Sequence, residues 1–434
     1  MENTNSKNRN PWLWIPSLYY AEGLPYIVVM IVSVVMYKRL NISNTEIAFY
    51  TSWLYLPWVI KPFWSPLVEI LKNKRWWIIS MQLFIGAGLA GVALTLPTSF
   101  FFKGTLAFFW LLAFGSATHD IAIDGFYMMG LNENQQTFFV GIRTTFYRIA
   151  MITGQGILII LAGFLEESVF LDNVGFGNQI SLAWAIIFCV IAFAFLIFAV
   201  YHKYILPTPE EDKQEVFVGL KTIFSGFKET IVTYFGKKEI WSILGFLLLY
   251  RLGESQLLKM LSPFLLDSTE TGGLGLTTKQ VGVAYGTIGV IALVVGGILG
   301  GWIASKMGLK RLLWIFVFSL NLPNLVYVYL AYVQPQSFVL ITSAIVIEQL
   351  GYGFGFTAYT LYMLFVSSGE HKTAHYAFST GIMALGMMLP GMISGWVEEM
   401  IGYQHFFIWV MICSIPGFIM AKIICIDNFG VIKK

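Results

Sequence analysis

The sequence predicts an all-α membrane protein with twelve transmembrane helices in two six-helix bundles. Of its 434 residues, 57% are hydrophobic and 12% are charged, whereas soluble domains carry about 25% charged residues. A spanning helix needs about 20 predominantly apolar residues, and the chain contains twelve such segments joined by polar loops. A longer polar stretch, residues 203–238, separates the first six segments from the last six.

Composition also excludes several classes of protein. The net charge of +3 is spread along the chain, so no basic patch suggests a nucleic-acid partner. All three cysteines fall in apolar segments, which argues against a disulfide framework or a thiolate metal site. Because no zinc-binding histidine pattern, P-loop or serine triad is present, we expect no metal, no cofactor and no enzymatic activity. The cysteines are Cys189, Cys413 and Cys425.

The apolar segments divide the chain into three regions. Residues 1–202 are expected to form an N-terminal six-helix bundle, and residues 239–434 a C-terminal one. Residues 203–238 are expected to form a cytoplasmic linker. A bundle pair of this kind needs no partner subunit, so we expect a monomer in the lipid bilayer. The spans are placed at 12–36, 47–70, 76–97, 104–128, 139–164, 180–202, 239–265, 279–304, 311–332, 337–366, 374–397 and 405–426.

The linker has an amphipathic pattern in its second part. Such a pattern predicts a helix that lies on the membrane surface and joins the two bundles. The apolar face comprises Val216, Phe217, Leu220, Ile223, Phe224, Phe227 and Ile231, and the polar face comprises Lys221, Ser225, Lys228 and Glu229.

The distribution of Lys and Arg predicts the orientation in the membrane. Most of the 27 basic residues fall at the two termini and in the loops on the same side, and the positive-inside rule places that side in the cytoplasm. No cleavable signal pattern precedes the first span, which is therefore expected to stay in the membrane. The opposite loops hold the basic residues Lys38, Arg39, Lys103 and Lys279 and the acidic residues Glu166, Glu167, Asp172, Glu398 and Glu399.

A carboxylate lies inside the first, fourth, seventh and tenth spans. A charge at the bilayer centre costs about 2.5–3.5 kcal/mol on insertion scales. Four evenly spaced spans with this feature predict a polar cavity whose groups bind and release protons. The candidates for proton coupling are Glu22, Asp120, Asp124 and Glu348.

In the first span, Glu22 is followed by Gly23 and Pro25. Glycine and proline loosen a helix and free backbone groups, so a carboxylate beside them is a candidate proton or substrate site. The alternative is a structural hydrogen bond between spans. Tyr20 and Tyr26 lie on either side and are candidates to stack on a sugar ring, although most aromatic side chains of such a protein face lipid.

In the fourth span, Asp120 and Asp124 are four residues apart and therefore share a helix face. Two close carboxylates can share a proton. Alternatively, cations of the fifth span neutralise them, and Arg143 and Arg148 lie at a similar depth. His119 is expected to point elsewhere and to be structural.

In the seventh span, Arg251 and Glu254 are three residues apart and are expected to share a face. An arginine in a cavity suits a carboxylate or phosphate of the substrate, and the alternative is a self-neutralising pair. Lys259 lies nearer the outer end and is expected to snorkel to the interface. Lys61, in the second span, is expected to pair with Glu69 or with a neighbouring span.

In the tenth span, Glu348 precedes a glycine-rich stretch that also holds Tyr352 and Tyr359, two further candidates for sugar stacking. The glycines superficially resemble a nucleotide-binding fingerprint, but no strand precedes them. They are expected to permit close helix packing and bending, as are the glycines of the eighth span. In the tenth span the glycines are Gly351, Gly353 and Gly355.

The loop between spans eight and nine resembles the glycine-containing basic loop of the major facilitator superfamily, with Ser305 in place of its usual Asp. A diverged copy joins spans two and three. Such loops let two helices approach closely, and an acidic helix end can pair with basic neighbours to latch a gate. The candidate gating residues are Glu69, Lys72 and Arg75 in the first copy, and Gly301, Lys306, Gly308 and Arg311 in the second.

Three stretches resemble the AmpG-like muropeptide permeases, which are related to the acetyl-CoA transporters. They are Ala21–Tyr26, Lys61–Glu69 and Ser116–Asp124. Thr373–Ala377 and Pro390–Glu398 continue the likeness, so that it covers nearly the whole chain. His119, Phe126, Glu69 and His375 stand where the family usually has Gln, Tyr, Asp and Gln.

The resemblance implies a bacterial inner-membrane importer of anhydro-muropeptides that is driven by the proton gradient. By position it also makes Glu22, Asp120, Asp124 and Glu348 the coupling and binding candidates. Alternative cargoes are another sugar, an amino sugar or an organic anion. A drug-efflux antiporter is less favoured because the fifth span lacks the proline of the usual efflux motif.

Overall fold

The computed structural model describes residues 9–168, 178–209, 212, 220–369 and 371–424, and the regular structure of these ranges is helical throughout. The linker residues 210, 211 and 213–219, which include Val216 and Phe217, lie outside the described residues, as do Asp172 and Cys425. The helices are α1 (Pro11–Arg39), α2 (Asn44–Trp53), α3 (Leu56–Leu71), α4 (Lys74–Thr95), α5 (Phe101–Gly130), α6 (Asn134–Glu166), α7 (Gln179–Ile205), α8 (Leu220–Phe235), α9 (Ile240–Leu249), α10 (Leu252–Leu266), α11 (Thr278–Met307), α12 (Leu309–Val333), α13 (Phe338–Val366) and α14 (Lys372–Ile423).

These helices account for the twelve predicted spans, and the predicted all-α class is confirmed. In the described ranges, nine helices are long and apolar enough to cross a membrane. One of them, α14, is two helices that meet at Gly402, whose φ of 72° suits glycine. The helix pairs α2 with α3 and α9 with α10 form the two remaining spans, each interrupted near its middle.

The two interruptions have local causes. Pro57, the second residue of α3, has no N–H to continue the hydrogen bonding of α2. Between α9 and α10, Arg251 has a non-helical backbone with φ −113° and ψ 22°. Just beyond it, Gly253 packs so closely on α14 that a Cβ there would meet the Val410 carbonyl oxygen at 2.6 Å.

Polar side chains begin several of the helices. The Asn73 side chain accepts a hydrogen bond from the Trp76 N–H at the start of α4, and Ser337 does the same for the Leu340 N–H at the start of α13. Such caps satisfy N–H groups that have no partner within the helix. The sequence therefore specifies where these spans begin as well as which segments are apolar.

The described chain divides into two compact units. The N-terminal unit comprises Met1–Ser33 with Ile60–Ile223, and the C-terminal unit comprises Val34–Val59 with Phe224–Lys434. The end of α1, all of α2 and the first residues of α3 are thus grouped with the C-terminal unit. The expected regions 1–202, 203–238 and 239–434 remain a prediction.

Glycines bring helix backbones together in the C-terminal unit. A Cβ at Gly296 of α11 would overlap the Leu350 carbonyl oxygen of α13, and a Cβ at Gly353 of α13 would overlap the Leu293 carbonyl oxygen of α11. The two helices therefore touch through their backbones at this crossing, which is the geometry that small residues permit. In the N-terminal unit, a Cβ at Gly23 would lie 3.1 Å from the Ala150 Cβ of α6.

Candidate functional site

Four helices of the N-terminal unit direct charged side chains to one place, which we call the N-terminal cluster. The first part of α1 contributes a tyrosine and a glutamate, α3 a lysine, α5 two aspartates and α6 an arginine. Three carboxylates thus face two cations inside long apolar helices. The members of the cluster are Tyr19, Glu22, Lys61, Asp120, Asp124 and Arg143.

Arg143 is held by one carboxylate and two aromatic rings. Its Nη1 lies 3.1 Å from the Asp124 Oδ1 and donates to the Tyr19 hydroxyl, also at 3.1 Å. The Tyr19 hydroxyl in turn donates to the same Asp124 oxygen at 3.4 Å. The guanidinium lies over the rings of Tyr19 and Tyr127, at 5.3 and 4.9 Å from the ring centres. This arrangement fixes a cation while leaving the Asp124 side chain 47% exposed.

Asp120 pairs with Lys61 across α5 and α3. Glu22 is buried beside this pair and interacts electrostatically with Asp120, Asp124 and Lys61. One oxygen of the Glu22 carboxyl, Oε2, has no hydrogen-bond partner in the described chain. The two aspartates thus share a face, as their spacing predicts, but each is held by a different cation.

Three other candidate residues of the N-terminal unit lie outside the N-terminal cluster. Arg148 bonds to the Met151 sulfur at 3.5 Å and forms no ion pair with described residues. Tyr20 packs on Phe198 of α7, with 5.9 Å between ring centres. Tyr26 lies near Tyr147 of α6 and outside the ion pairs. The geometry therefore favours Tyr19 over its neighbour Tyr20 as a site residue.

A second chain of polar contacts crosses the N-terminal unit, and its glutamine and two histidines are fully buried. The Gln82 amide of α4 lies between two histidines, 3.1 Å from the His119 Nε2 and 2.9 Å from the His202 Nδ1. The Ser17 hydroxyl approaches the His202 Nε2 at 3.0 Å. His119 thus has the structural contacts that were expected for it, and the network links α1, α4, α5 and α7 next to the charged cluster.

In the C-terminal unit, Arg251 lies at the break between α9 and α10 and is surrounded by aromatic rings of α13. Its guanidinium lies 5.4 Å from the centre of the Tyr352 ring and 4.8 Å from that of Phe356, and it donates to the Tyr352 hydroxyl. Tyr359 packs on Tyr250, with 5.5 Å between ring centres. Arg251 is therefore a buried cation supported by π systems rather than by a carboxylate.

Two carboxylates are deeply buried in the same unit. Glu348 accepts hydrogen bonds on Oε2 from the Tyr327 hydroxyl at 2.8 Å and from the Gln349 amide at 2.9 Å. Glu254 is fully buried, and neither of its oxygens has a hydrogen-bond partner in the described chain. Arg251 and Glu254 interact electrostatically without forming an ion pair, so the self-neutralising pair does not occur in this structure.

One end of the C-terminal unit carries a polar network that joins α1 and α2 to α10 and α14. The Asn44 amide nitrogen donates to the Glu398 Oε2 at 2.6 Å and to the Tyr403 hydroxyl at 2.9 Å. Lys38 forms an ion pair of 2.6 Å with Asp267, which also accepts from Tyr403 at 2.6 Å. The acidic residues of the loops that were predicted to be outside the cytoplasm, and the unusual position of Lys38 among them, were the sequence signals for this network.

The predicted gating loops are placed at the ends of their helices. Gly308 has φ 79° and joins α11 to α12. Lys306 lies over the Trp302 ring at 3.8 Å, while Gly301, Lys72 and Arg311 are exposed and the side chain of Glu69 lies outside the description. In these loops the structure describes no acid paired with Lys72, Lys306 or Arg311.

Asp212 of the linker supplies the acidic contact that the gating hypothesis assigned to Glu69. Its carboxylate accepts hydrogen bonds from the backbone N–H groups of Lys74 at 2.6 Å and Arg75 at 3.2 Å, at the first turn of α4. Burial raises the pKa of the Asp212 carboxyl, although these two N–H groups and the nearby basic side chains oppose that shift. The linker is thereby fastened to the N-terminal unit.

Lys61 follows one of the two alternatives stated for it, a pair with another span, whereas Lys259 was misjudged from the sequence alone. Lys61 pairs with Asp120 and is part of the N-terminal cluster. Lys259 is buried and donates to the Thr51 hydroxyl at 2.8 Å instead of reaching the interface. Both lysines lie among apolar residues, so only the packing of neighbouring helices shows what they contact.

Charged and aromatic side chains held within long apolar helices define a class of protein, the multi-pass membrane transporters. The chain belongs to the major facilitator superfamily, because the profile described as Major Facilitator Superfamily matches residues 21–395. The predicted superfamily is therefore confirmed. Its members that resemble this chain are transporters rather than enzymes.

The relatives include permeases of the kind that the sequence motifs resemble. The chain is 24% identical to the anhydromuropeptide permease of Escherichia coli strain K12 over 413 residues, which cover 94% of this chain and 78% of the permease. It is 27% identical to the putative transporter AmpG 4 of Rickettsia conorii, with 91% and 92% covered. The predicted AmpG-like resemblance is confirmed.

A solved transporter shares the fold. The inward-open xylose transporter XylE from E. coli superposes with a TM-score of 0.69 at 12% identity, covering 97% of each chain. At this identity the likeness concerns the fold alone. The chain is thus a multi-pass membrane transporter from a family with bacterial members.

Proposed function

We propose that this protein is a proton-coupled importer of anhydro-muropeptides in the bacterial inner membrane. In this proposal it works as a monomer with both termini in the cytoplasm. The observation that carries it is the N-terminal cluster, four of whose members lie within the stretches that resemble the AmpG-like permeases: Glu22, Lys61, Asp120 and Asp124. The similarity to the anhydromuropeptide permease of E. coli supports the choice of cargo.

The N-terminal cluster has the chemistry that such a cargo needs. An anhydro-muropeptide carries carboxylate groups and sugar rings. Arg143 is fixed by two tyrosine rings and is paired with a half-exposed aspartate. A cargo carboxylate can replace Asp124 on the guanidinium, while Tyr19 and Tyr127 offer flat faces to a sugar.

Proton coupling follows from the charge balance of the same cluster. Among the described residues, the cations that Glu22, Asp120 and Asp124 face are Lys61 and Arg143, so one carboxylate exceeds the number of cations. A surplus carboxylate in a buried site is costly unless it is protonated. We place the exchangeable proton between Glu22 and Asp120, where it weakens the Lys61 pair and favours rearrangement around the cargo.

Uptake into proteoliposomes tests the proposal. Labelled N-acetylglucosaminyl-anhydromuramic acid should accumulate only when a proton gradient is directed inward. At a gradient of one pH unit, Glu22→Gln should lower steady-state accumulation by about tenfold or more but permit exchange of cargo across the membrane. Glu167→Gln is the matched control, because Glu167 is an exposed glutamate of the same unit. No uptake by folded wild-type protein would retire the cargo assignment and direct a screen to other sugars, amino sugars and organic anions.

A further inference from the structure

Two glutamates of the C-terminal unit, Glu254 and Glu348, are the most deeply buried acids of the described chain. Glu254 and Glu348 are 0% and 1% exposed. No Lys, Arg or His nitrogen of the described residues lies within 4 Å of either carboxylate, and Arg251, which interacts electrostatically with Glu254, is engaged with aromatic rings. Two ionised carboxylates so placed would each lack a counter-ion, at a cost of several kcal/mol per ion.

The hydrogen bonds distinguish the two acids. Glu348 accepts from Tyr327 and Gln349 on one oxygen, and donors of this kind stabilise an ionised carboxylate. Glu254 accepts no hydrogen bond from any described residue. A single proton shared by this pair is therefore best placed on Glu254, leaving the charge on Glu348.

An independent observation points into the same place. The side chain of Asn324, in the second half of α12, is 1% exposed and lies beside Glu254. Neither its amide oxygen nor its amide nitrogen has a hydrogen-bond partner that meets normal geometry in the described chain. A carboxylic acid can donate to the amide oxygen, whereas a carboxylate can accept from the amide nitrogen. Asn324 can thus serve both protonation states of Glu254.

The surroundings of Glu254 can also stabilise the carboxylate that remains when the proton leaves. Glu254 lies in the first turn of α10, where the helix N-terminus favours a negative charge, and the Arg251 guanidinium is three residues away. The other titratable groups that face the pair are the tyrosines Tyr285 of α11 and Tyr327 of α12. Burial and Glu348 therefore favour the acid, while the helix terminus and Arg251 favour the carboxylate.

We propose that Glu254, Glu348 and Asn324 form a second proton-binding site, in the C-terminal unit and separate from the N-terminal cluster. Glu254 carries the proton, Glu348 retains its charge, and Asn324 turns its amide to follow the change. The role of this site in transport rests on the proton coupling proposed above. Its occupancy by a proton does not, because binding can be measured without cargo.

Infrared spectroscopy of the purified full-length protein tests occupancy. Carbon-13 labelling of glutamate carboxyl groups separates them from aspartate, and the carbonyl stretch of a protonated glutamic acid is then followed across a pH titration. In a Glu22→Gln background, which removes the first site, we expect a band from a protonated glutamic acid that is lost in Glu254→Gln and kept in Glu348→Gln. Glu270→Gln, which changes an exposed glutamate of the same unit, should leave the band intact.

The outcomes are distinct. A band that persists in Glu254→Gln, with Glu22→Gln as background to remove the first site, would overturn the proposal. So would a band that disappears only in Glu348→Gln. Size-exclusion profiles show whether each variant is folded. The conservative variant Glu254→Asp should restore the signal of a protonated acid in a sample labelled on aspartate, which separates loss of the site from loss of the fold.

Transport measurements then test coupling. In proteoliposomes, Glu254→Gln should couple one proton fewer per cargo, so steady-state accumulation at a gradient of one pH unit should fall about tenfold. Cargo exchange without a gradient should continue. Unchanged accumulation would overturn the coupling role. If wild-type protein moved no muropeptide at all, the cargo assignment would fail while the infrared result would stand.

Discussion

Arg143 of α6 meets Asp124 of α5 with 3.1 Å between Nη1 and Oδ1, and the Tyr19 hydroxyl of α1 bonds to both partners. Three helices are therefore joined by one ion pair and one phenol. The arginine is further enclosed by the Tyr127 ring. Its position is thus set by planar groups, which an ammonium group cannot replace.

Arg143→Lys should impair uptake more than stability. The lysine keeps the charge but loses the planar contacts with Tyr19 and Tyr127. Because the arginine and aspartate side chains are 32% and 47% exposed, we expect a stability loss of only about 1 kcal/mol. Uptake should fall about tenfold or more. Initial uptake rates in proteoliposomes and thermal unfolding in detergent separate the two effects. A loss of uptake that is fully explained by a loss of folded protein would contradict a role of Arg143 in binding the cargo.

Lys61 and Asp120 should show strong coupling in a double-mutant cycle. Lys61→Met leaves Asp120 without its cation next to Glu22, and Asp120→Leu leaves the lysine unpaired. Each single change should destabilise the protein by more than the double change, with a coupling free energy of roughly 0.5–3 kcal/mol. Chemical or thermal unfolding of the four proteins measures it. Additive effects would show that the pair contributes nothing specific.

Gly353→Ala should destabilise the C-terminal unit, because a Cβ there would overlap the Leu293 carbonyl oxygen. The helices α11 and α13 would have to separate, at a cost of about 1–3 kcal/mol. Gly301→Ala is the matched control on α11, since a Cβ at that position has nothing within 4 Å. A lower melting temperature for the first variant alone is expected.

Asn44→Ala should weaken the polar network of the C-terminal unit that contains Glu398, Asp267 and Tyr403. It removes the donor to Glu398 and Tyr403, and each buried polar group left unsatisfied costs about 1–3 kcal/mol. Asn44→Asp should be worse, because it adds a third carboxylate beside Glu398 and Asp267. Melting temperatures that fall in the order wild type, alanine, aspartate are expected. An aspartate variant as stable as wild type would contradict the described contacts.

Asp212→Ala should release the linker from α4. The backbone N–H groups of Lys74 and Arg75 would lose their acceptor, as in the loss of a helix cap, at a cost of about 1 kcal/mol. Limited proteolysis between the two units should then cut faster. Lys72→Ala, which alters an exposed neighbour, should be cut at the wild-type rate.

The sequence could predict which helices carry charge but only partly which side chains meet. Asp120 and Asp124 share a face because four residues make about one helical turn. Tyr19 and Tyr20, in contrast, are separated by about 100° around their helix, so one of them faces the cluster. Apolar residues surround both tyrosines, and the pattern alone does not say which face of α1 is turned to α5.

Contacts between side chains of helices that are far apart in the sequence were harder still to predict. Lys61 is followed by Pro62 and lies more than fifty residues before Asp120, so no local periodicity relates them. Lys259 was assigned to the interface because long side chains commonly reach it, yet α2 supplies Thr51 as a buried acceptor. The fold was predictable because apolar length alone specifies a span, whereas these contacts depend on how helices rotate when they pack.

The break at Arg251 also bears on how the chain is made. At about 1.5 Å per residue, the ten residues of α9 and the fifteen of α10 are each too short to cross a hydrocarbon layer of about 30 Å. The same span carries Arg251, Glu254 and Lys259, each of which opposes partition into lipid. We therefore expect this interrupted and charged span to enter the bilayer more readily when earlier helices are already there, so that the order of translation contributes to how the protein reaches its fold.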